Sequence, residues 1–456
     1  MNQRTQDFGE GLEKLCHWAV SCEWTEIPEP IKQRAVMLLC DDISAMLAGS
    51  LEPEVSKFRE TALARAAQGQ SVIFSAGLPK ADRMMAAAAN ALAGNWCELD
   101  GGFRKTVCHA GICTLPALLA EGQAQSLSFA QLLRCAVLAY ELVTRVALAF
   151  KFETMKVHSH AMWSSIGSAA SVVLARNGTA KELMGAMTAA ATTTPMGPRG
   201  HLMEGVLVRN CWASAGAVHG ILSADWSACG ITGSVTSIPS VFRDILGAEM
   251  HPEALTSQLG QEWSLSSGYH KIYACCQHGH ASIEALLTML DSAEGAPLIE
   301  DIESIDIYTF PLALSLNNVS PTTTLGAKFS LPHMVAATLV YKTGGARAFY
   351  QDTLTDTVVE KLRNKINLHP FGQPLIPPND RPSRVVIKTY DGTRYERECL
   401  SAQGGPDRPF SHEVILNKIR DISATDLPGL VRLADGFDMT KATQISWAEI
   451  LELIQK

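Results

Sequence analysis

The chain has 456 residues, 47% of them hydrophobic and 18% charged, and 38 Lys+Arg against 46 Asp+Glu leave a net charge of −8. That composition excludes disordered and low-complexity classes, and at roughly 100–200 residues per domain the length accommodates two or three domains that bury cores without metal or disulfide staples. The acidic balance and the lack of any basic run argue against a nucleic-acid partner, because phosphate contact requires clustered positive charge.

The first twenty residues carry Arg4, Asp7, Glu10, Glu13 and Lys14, where a secretory signal needs an uninterrupted apolar stretch, so a cytoplasmic protein is expected. Twelve scattered cysteines are then expected as reduced, buried thiols. The apolar stretches Met84–Cys97 and Val143–Phe150 are shorter than the ~20 residues of a membrane span, and no membrane partner is expected.

Up to about Gly233 the pattern is helical. Ser128-Phe-Ala-Gln131 and Thr179-Ala-Lys-Glu182 match the capping box, in which a hydroxyl and an N3 side chain satisfy otherwise orphaned amides. The segments Met84–Ala93, Ala161–Ala175, Lys181–Thr192 and Ser214–Ala228 are rich in Ala, Gly and Ser, which lets helix axes approach closely in a buried bundle. Past Tyr269 the period shortens. Ile305, Ile307 and Thr309 alternate with Ser304, Asp306 and Tyr308, as in a half-buried strand over 302–310. Arg384–Tyr390 and Arg394–Leu400 flank Asp391-Gly392, which predicts a hairpin with a type I′ turn. Helices are expected over 331–342 and 355–364 and a short strand over 365–369. Gly404-Gly405-Pro406 breaks this module, after which His412–Arg420 and Ser446–Gln455 read as helices, the latter opened by the Ser446-Trp-Ala-Glu449 capping box.

No glycine-rich phosphate loop lies between a strand and a helix, and Trp212-Ala-Ser214-Ala-Gly216 lacks the leading glycine of a nucleophile elbow. Chemistry therefore has to rest on acid–base groups, which fall in four clusters. The first, Glu98-Leu-Asp100-Gly-Gly-Phe-Arg104-Lys105-Thr-Val-Cys108-His109, is a glycine-loosened loop in which His109 can give or take a proton near neutral pH. In the second, His158-Ser-His160, an extended backbone would aim both rings to one side. Zinc is conceivable there, but no third ligand can be located, and proton transfer by one ring is the better reading. The third is Gly197-Pro-Arg199-Gly-His201 with Arg209 beyond it, where an arginine fork can meet a carboxylate. The fourth is Lys271-Ile-Tyr-Ala-Cys275-Cys276-Gln-His278-Gly-His280. Its cysteine spacing is a poor chelate, and no metal is expected, but Lys271 can enter a cleft. Glu141 and Arg145 stand at i and i+4, which reads as a helix-surface ion pair.

Taken in order, these pieces resemble the MmgE/PrpD family, which contains 2-methylcitrate dehydratase, cis-aconitate decarboxylase and a cofactor-free iminodisuccinate epimerase. The resemblance runs through Asp100, His109-Ala110-Gly111 and Pro116-Ala117, then Tyr140-Glu141 with Arg145, His160 opening an Ala-rich helix, and Arg209 ahead of Gly230-Ile231-Thr232-Gly233. It continues through Lys271, Tyr273, Cys276 and His280 to the block Ala327–Pro332.

The resemblance implies a large all-helical domain formed by both chain ends with an inserted smaller α/β domain, here 1–268 and 401–456 around 269–400. It also implies a cleft between them, a homodimer, polycarboxylate substrates and no organic cofactor. His109, His160, Lys271 and Asp100 become the expected catalytic set, with Arg209, Tyr140, Arg145, Arg199, Cys276 and His280 around the substrate. Dehydratase-type members carry an Asp-Asp-Thr-His-like loop that is here Leu99-Asp100-Gly-Gly-Phe-Arg-Lys105, the pocket lysine is Arg209, and the His-Pro-Gly run has Ala110. These departures turn the expectation toward an epimerase or racemase in which His109 and His160 flank one acidic carbon, with Lys271 or Tyr140 as the alternate partner. A hydro-lyase or decarboxylase is the alternative, and a silent carboxylate-binding relative the non-enzymatic one.

Overall fold

A computed structural model describes residues 3–292 and 295–456. The longer elements are numbered here in chain order. Helices α1 (Gln3–Ser21), α2 (Glu29–Ser50), α3 (Pro53–Arg65), α4 (Arg83–Trp96), α5 (Ala110–Ala124), α6 (Phe129–Leu148), α7 (Ser159–Ala175), α8 (Ala180–Thr192) and α9 (Cys211–Ala228) make up most of the first half. Both expected capping boxes are formed, Ser128 receiving the Gln131 amide and Thr179 the Glu182 amide. Every residue of α7 is buried, and α5, α6, α8 and α9 surround it. The small-residue composition makes this possible. A Cβ on Gly216 of α9 would stand 2.4 Å from Ser164 Cβ of α7, so the two backbones are in direct contact there.

Strands β1 (Gly102–Phe103) and β2 (Gly268–Tyr269) form a short antiparallel ribbon with Gly102 opposite Tyr269. After α10 (His280–Leu290) comes a four-stranded sheet in the order β6-β5-β3-β4, made of β3 (Ile302–Thr309), β4 (Ile366–Pro370), β5 (Ser383–Thr389) and β6 (Arg394–Cys399). β3 and β4 run parallel, while β5 is antiparallel to both β3 and β6. Helix α10 packs on β5 and β6, and against it lies α11 (Leu331–Tyr341), followed by α12 (Thr357–Arg363). The β5–β6 hairpin turns differently from the expected type I′. Gly392 has φ 88° but Asp391 keeps a negative φ, and Gly392 N–H bonds Thr389 O. That is a tight turn followed by a left-handed glycine, and Asp391 Oδ1 braces it by accepting from the Thr389 hydroxyl and the Thr393 amide.

The last helices are α13 (His412–Ser423), α14 (Gly429–Asp435) and α15 (Trp447–Ile454). α13 and α14 pack on α2, and α15 packs on α5 and α6. Trp447, Ile450, Leu451 and Ile454 form one buried stripe on α15, each contributing about 1.5–3 kcal/mol of burial. Phe129 N–H to Ile445 O and Trp447 N–H to Leu127 O tie the start of α15 to the start of α6. No helix among the described residues is long and apolar enough to cross a membrane.

Candidate active site

Between α4 and α5 the chain runs through Glu98 and Asp100 before it enters β1. Glu98 has φ 54°, a left-handed backbone that a non-glycine residue holds only where its surroundings over-determine it. The β1–β2 pairing then sets this stretch beside Lys271. The contact is close enough that a Cβ on Gly102 would meet the Tyr269 hydroxyl at 2.3 Å. Phe103 pairs with Cys108, closing the intervening loop and delivering His109 as the residue that caps α5.

Asp100 is wholly buried and is the hub of the cluster. Its Oδ2 is 2.8 Å from His109 Nδ1 and 3.6 Å from His160 Nε2, and its Oδ1 is 3.9 Å from Lys271 Nζ. His109 Nδ1 also lies 3.0 Å from Gly101 O. A backbone carbonyl can only accept, so this contact, with the Asp100 carboxylate beside it, assigns the proton to Nδ1 and leaves Nε2 with the free lone pair. Glu98 bridges the cations, with Oε1 2.6 Å from Arg209 Nη2 and Oε2 3.2 Å from Lys271 Nζ. Arg209 also donates to Asn95 Oδ1 and Asn210 Oδ1, both at 3.0 Å.

Burial alone would neutralise these groups, and the mutual pairing outweighs it. Burial pushes the Glu98 carboxyl up, but Arg209 and Lys271 bring it down to about 2. For Asp100 the same contest, settled by Lys271 and His109, leaves it well below the usual carboxylate range. Lys271 is raised because Glu98 and Asp100 overcome its desolvation. The histidines behind go the other way. Burial and then Arg209 lower His160 to about 4 and hold His158 well below the ordinary imidazole value. Charged Lys271, ionised Asp100 and neutral His158 and His160 follow at pH 7.

A cavity of about 350 Å³ opens against this cluster. Its wall includes Glu98, His109, His158, Arg199, Arg209, Lys271 and Cys276. The site set expected from sequence is therefore only partly brought together. His160 is not on the wall: it stands behind His109, rings perpendicular with centroids 4.7 Å apart, on the same Asp100 oxygen. The two imidazoles thus do not flank one carbon from opposite sides. The reason is local. His158 caps α7 and its Nδ1 accepts the His160 amide, so His160 opens the Ala-rich helix, as the resemblance implied, and the two rings are not aimed to one side as they would be on an extended backbone.

Tyr140, Arg145 and His280 are also off the wall. The Tyr140 hydroxyl is buried at 3.5 Å from Gly102 O, under the β1–β2 ribbon. The Glu141–Arg145 pair is not on the surface as the spacing suggested, since both side chains are at most 5% exposed. Its guanidinium is consumed by Glu141 and by the Leu255, Ser257 and Glu262 carbonyls. His280 Nε2 sits 3.2 Å from Cys275 O with its ring against Tyr273.

Two residues that sequence reasoning missed bear on the site. Arg381 lies on the cavity wall, and Lys418 of α13 donates to Leu99 O at 2.9 Å while pairing with Asp41, clamping the loop between Glu98 and Asp100. Neither carries a local signal beyond Arg381 standing in the polar, proline-rich loop 377–382. Asp100, His109 and His160 offer donor atoms within 4.8 Å of one another, close enough to hold a metal ion. His109 Nδ1 donates to Gly101 O and lies 2.8 Å from Asp100 Oδ2, which fits a carboxylate–imidazole dyad better, since a metal-bound nitrogen carries no proton.

The MmgE/PrpD N-terminal domain model matches residues 13–240, and the MmgE/PrpD C-terminal domain model matches residues 273–429. The chain belongs to the MmgE/PrpD family. Asp100, His109, His160 and Arg209 fall in the N-terminal match and Cys276 and Arg381 in the C-terminal one, with Lys271 in the stretch that joins them. The chain is also similar to the cis-aconitate decarboxylase-like protein oryM of Aspergillus oryzae, 24% identical over 98% of this chain and 97% of that protein.

Proposed function

We propose that this MmgE/PrpD protein is a cofactor-independent epimerase that moves the α-proton of a small polycarboxylate, with His109 as the base. The observation that carries this reading is the Asp100 carboxylate shared between His109 and Lys271, both on the wall of one cavity. Removing a proton beside a carboxylate generates an enediolate dianion, which only preorganised positive charge stabilises. Lys271 and Arg209, held in place by Glu98, supply it. Asp100 keeps the His109 Nδ1–H fixed, so Nε2 takes the proton. General-base help of this kind is worth about 10²–10⁴-fold.

Inversion needs a donor on the other face. With His160 behind His109, that role passes to Lys271. The C–H bond breaks toward His109 Nε2, and a new C–H bond forms from Lys271 Nζ–H. Imidazolium and amine are then reset by exchange with solvent. Incubation with a chiral α-substituted dicarboxylate in D₂O is expected to give loss of optical activity and α-deuteration by NMR, without release of CO₂ or water. Stereochemical retention with no deuterium uptake removes the epimerase.

A lyase reading has one observation in its favour, the decarboxylase-like name of the Aspergillus relative. It uses the same His109, and a rise in CO₂ or in the absorbance of a conjugated acid identifies it. Binding of the dicarboxylate with neither exchange nor turnover points to a silent carboxylate-binding relative instead.

A further inference from the structure

The wall of the same cavity holds a guanidinium that the proposed chemistry does not use. Arg381 comes from the loop between β4 and β5, far along the chain from His109. Its Nη1 donates to Gln277 Oε1 at 2.6 Å, its Nη2 donates to Arg104 O at 3.4 Å, and among the described residues its only carboxylate partner is Asp380, 3.9 Å from Nε. Asp380 is already taken, gripped by the Arg104 guanidinium. A largely buried fork thus lacks a full counter-ion, a costly arrangement unless an anion arrives. Burial and the neighbouring Arg104 charge push the Arg381 guanidinium down from its ordinary value, the direction an anionic ligand reverses.

Two neighbours are unsatisfied in the same way. His278 Nδ1 is buried with no hydrogen-bond partner among the described residues, and its ring is on the cavity wall. Gln277, also on the wall, spends its carbonyl oxygen on Arg381, which leaves its NH₂ facing no partner among the described residues. Arg199, on the same wall, has no ion-pair partner among the described residues either. A guanidinium without a full counter-ion, an unpartnered imidazole nitrogen and an amide NH₂, gathered on the wall of one cavity, describe a carboxylate subsite.

We infer that Arg381, supported by Gln277 and His278, binds a substrate carboxylate remote from the reacting carbon, so the site selects polycarboxylates over monocarboxylates. This deepens the proposed function and rests on its assignment of the cavity. Arg381 is a binding residue here and takes no part in proton transfer.

The test is calorimetric binding of tricarballylate, glutarate and butyrate to the full chain. Wild type is expected to bind in that order of affinity. R381M is expected to weaken tricarballylate roughly 10- to 100-fold and to leave butyrate unchanged, which removes the selectivity. If R381M binds tricarballylate as wild type does, or loses all three ligands equally while its melting curve is unaltered, the subsite is wrong. Should R381M fail to fold, phenylglyoxal labelling of the wild-type protein, read by mass spectrometry, takes its place. Tricarballylate is expected to protect Arg381 and butyrate is not. Equal labelling of Arg381 with and without tricarballylate overturns the proposal. The two readings also separate. Selectivity lost in R381M without any α-proton exchange in wild type keeps the subsite and removes the epimerase. Exchange in wild type with unchanged KM in R381M does the reverse.

Discussion

Two buried clusters in this molecule use the same groups and end differently. On α6, Glu141 Oε1 accepts from Arg145 Nε at 2.7 Å and Oε2 accepts from the Ser264 amide at 2.7 Å, while backbone carbonyls take the rest of the guanidinium. At the cavity, Glu98 meets Arg209 and Lys271, yet Arg209 Nε has no partner among the described residues. The first cluster is saturated by the protein and acts as a rivet between α6 and the chain leading to β2. The second keeps donors in reserve beside an open volume. A charged pair is therefore no mark of a site. Unspent hydrogen-bonding capacity next to a cavity is.

Breaking the cavity cluster should cost activity and spare the fold. H109N is expected to lower turnover by about 10²–10⁴-fold with a melting temperature close to that of wild type, since the ring has a face on the cavity. An H109N enzyme with full α-proton exchange removes the dyad. The scaffold cluster should behave in reverse. R145M leaves Glu141 buried without its cation, and urea unfolding is expected to register a loss of about 3–5 kcal/mol, while activity per folded molecule is retained.

Acid titration sharpens the contrast further. His160 at about 4 and His280 at about 3 stay neutral in the folded protein, so the unfolded chain binds more protons below the ordinary imidazole value of 6.5. Their contribution is complete above that value and is lost as pH falls toward 4 and then 3. Glu98, at about 2 against an ordinary 4.5, adds a second loss below that carboxyl range. Urea midpoints should thus decline from pH 6.5 downward, and H160N should flatten the upper part of that decline. A midpoint that holds steady between pH 6.5 and 4 contradicts the burial of neutral imidazoles. The smallest effect belongs to an exposed pair. Lys105 and Glu262 are 3.3 Å apart with both side chains more than half exposed, and K105A should change stability by no more than about 0.5 kcal/mol.

What could be read in the sequence is what local chemistry decides. The capping boxes at Ser128, Thr179 and Ser446 fall where expected, because a hydroxyl and a carboxyl or amide at N3 satisfy their own helix. The alternation over 302–309 became β3, since burial of one sheet face imposes a period of two. The family and its mostly helical fold were legible as well, from motifs in a fixed order. The failures share one cause. Glu141 and Arg145 looked superficial because i and i+4 spacing says that two side chains meet and not which face is covered. His158 and His160 looked alike, although a helix cap puts one on the cavity and the other behind His109. Arg381 became visible only through the company it keeps in three dimensions.

The ribbon of Gly102 and Tyr269 has a bearing on biosynthesis. A growing chain that has released only its N-terminal family segment already contains Asp100, His109 and Arg209, but the strand that brings Lys271 opposite Asp100 is still to be made. Until then two ionised acids would be left in the interior with too little positive charge to hold them there. The nascent helical bundle should accordingly stay loose around residues 98–103 and tighten only when the later strand docks, so that maturation of the fold and of its chemistry are one event.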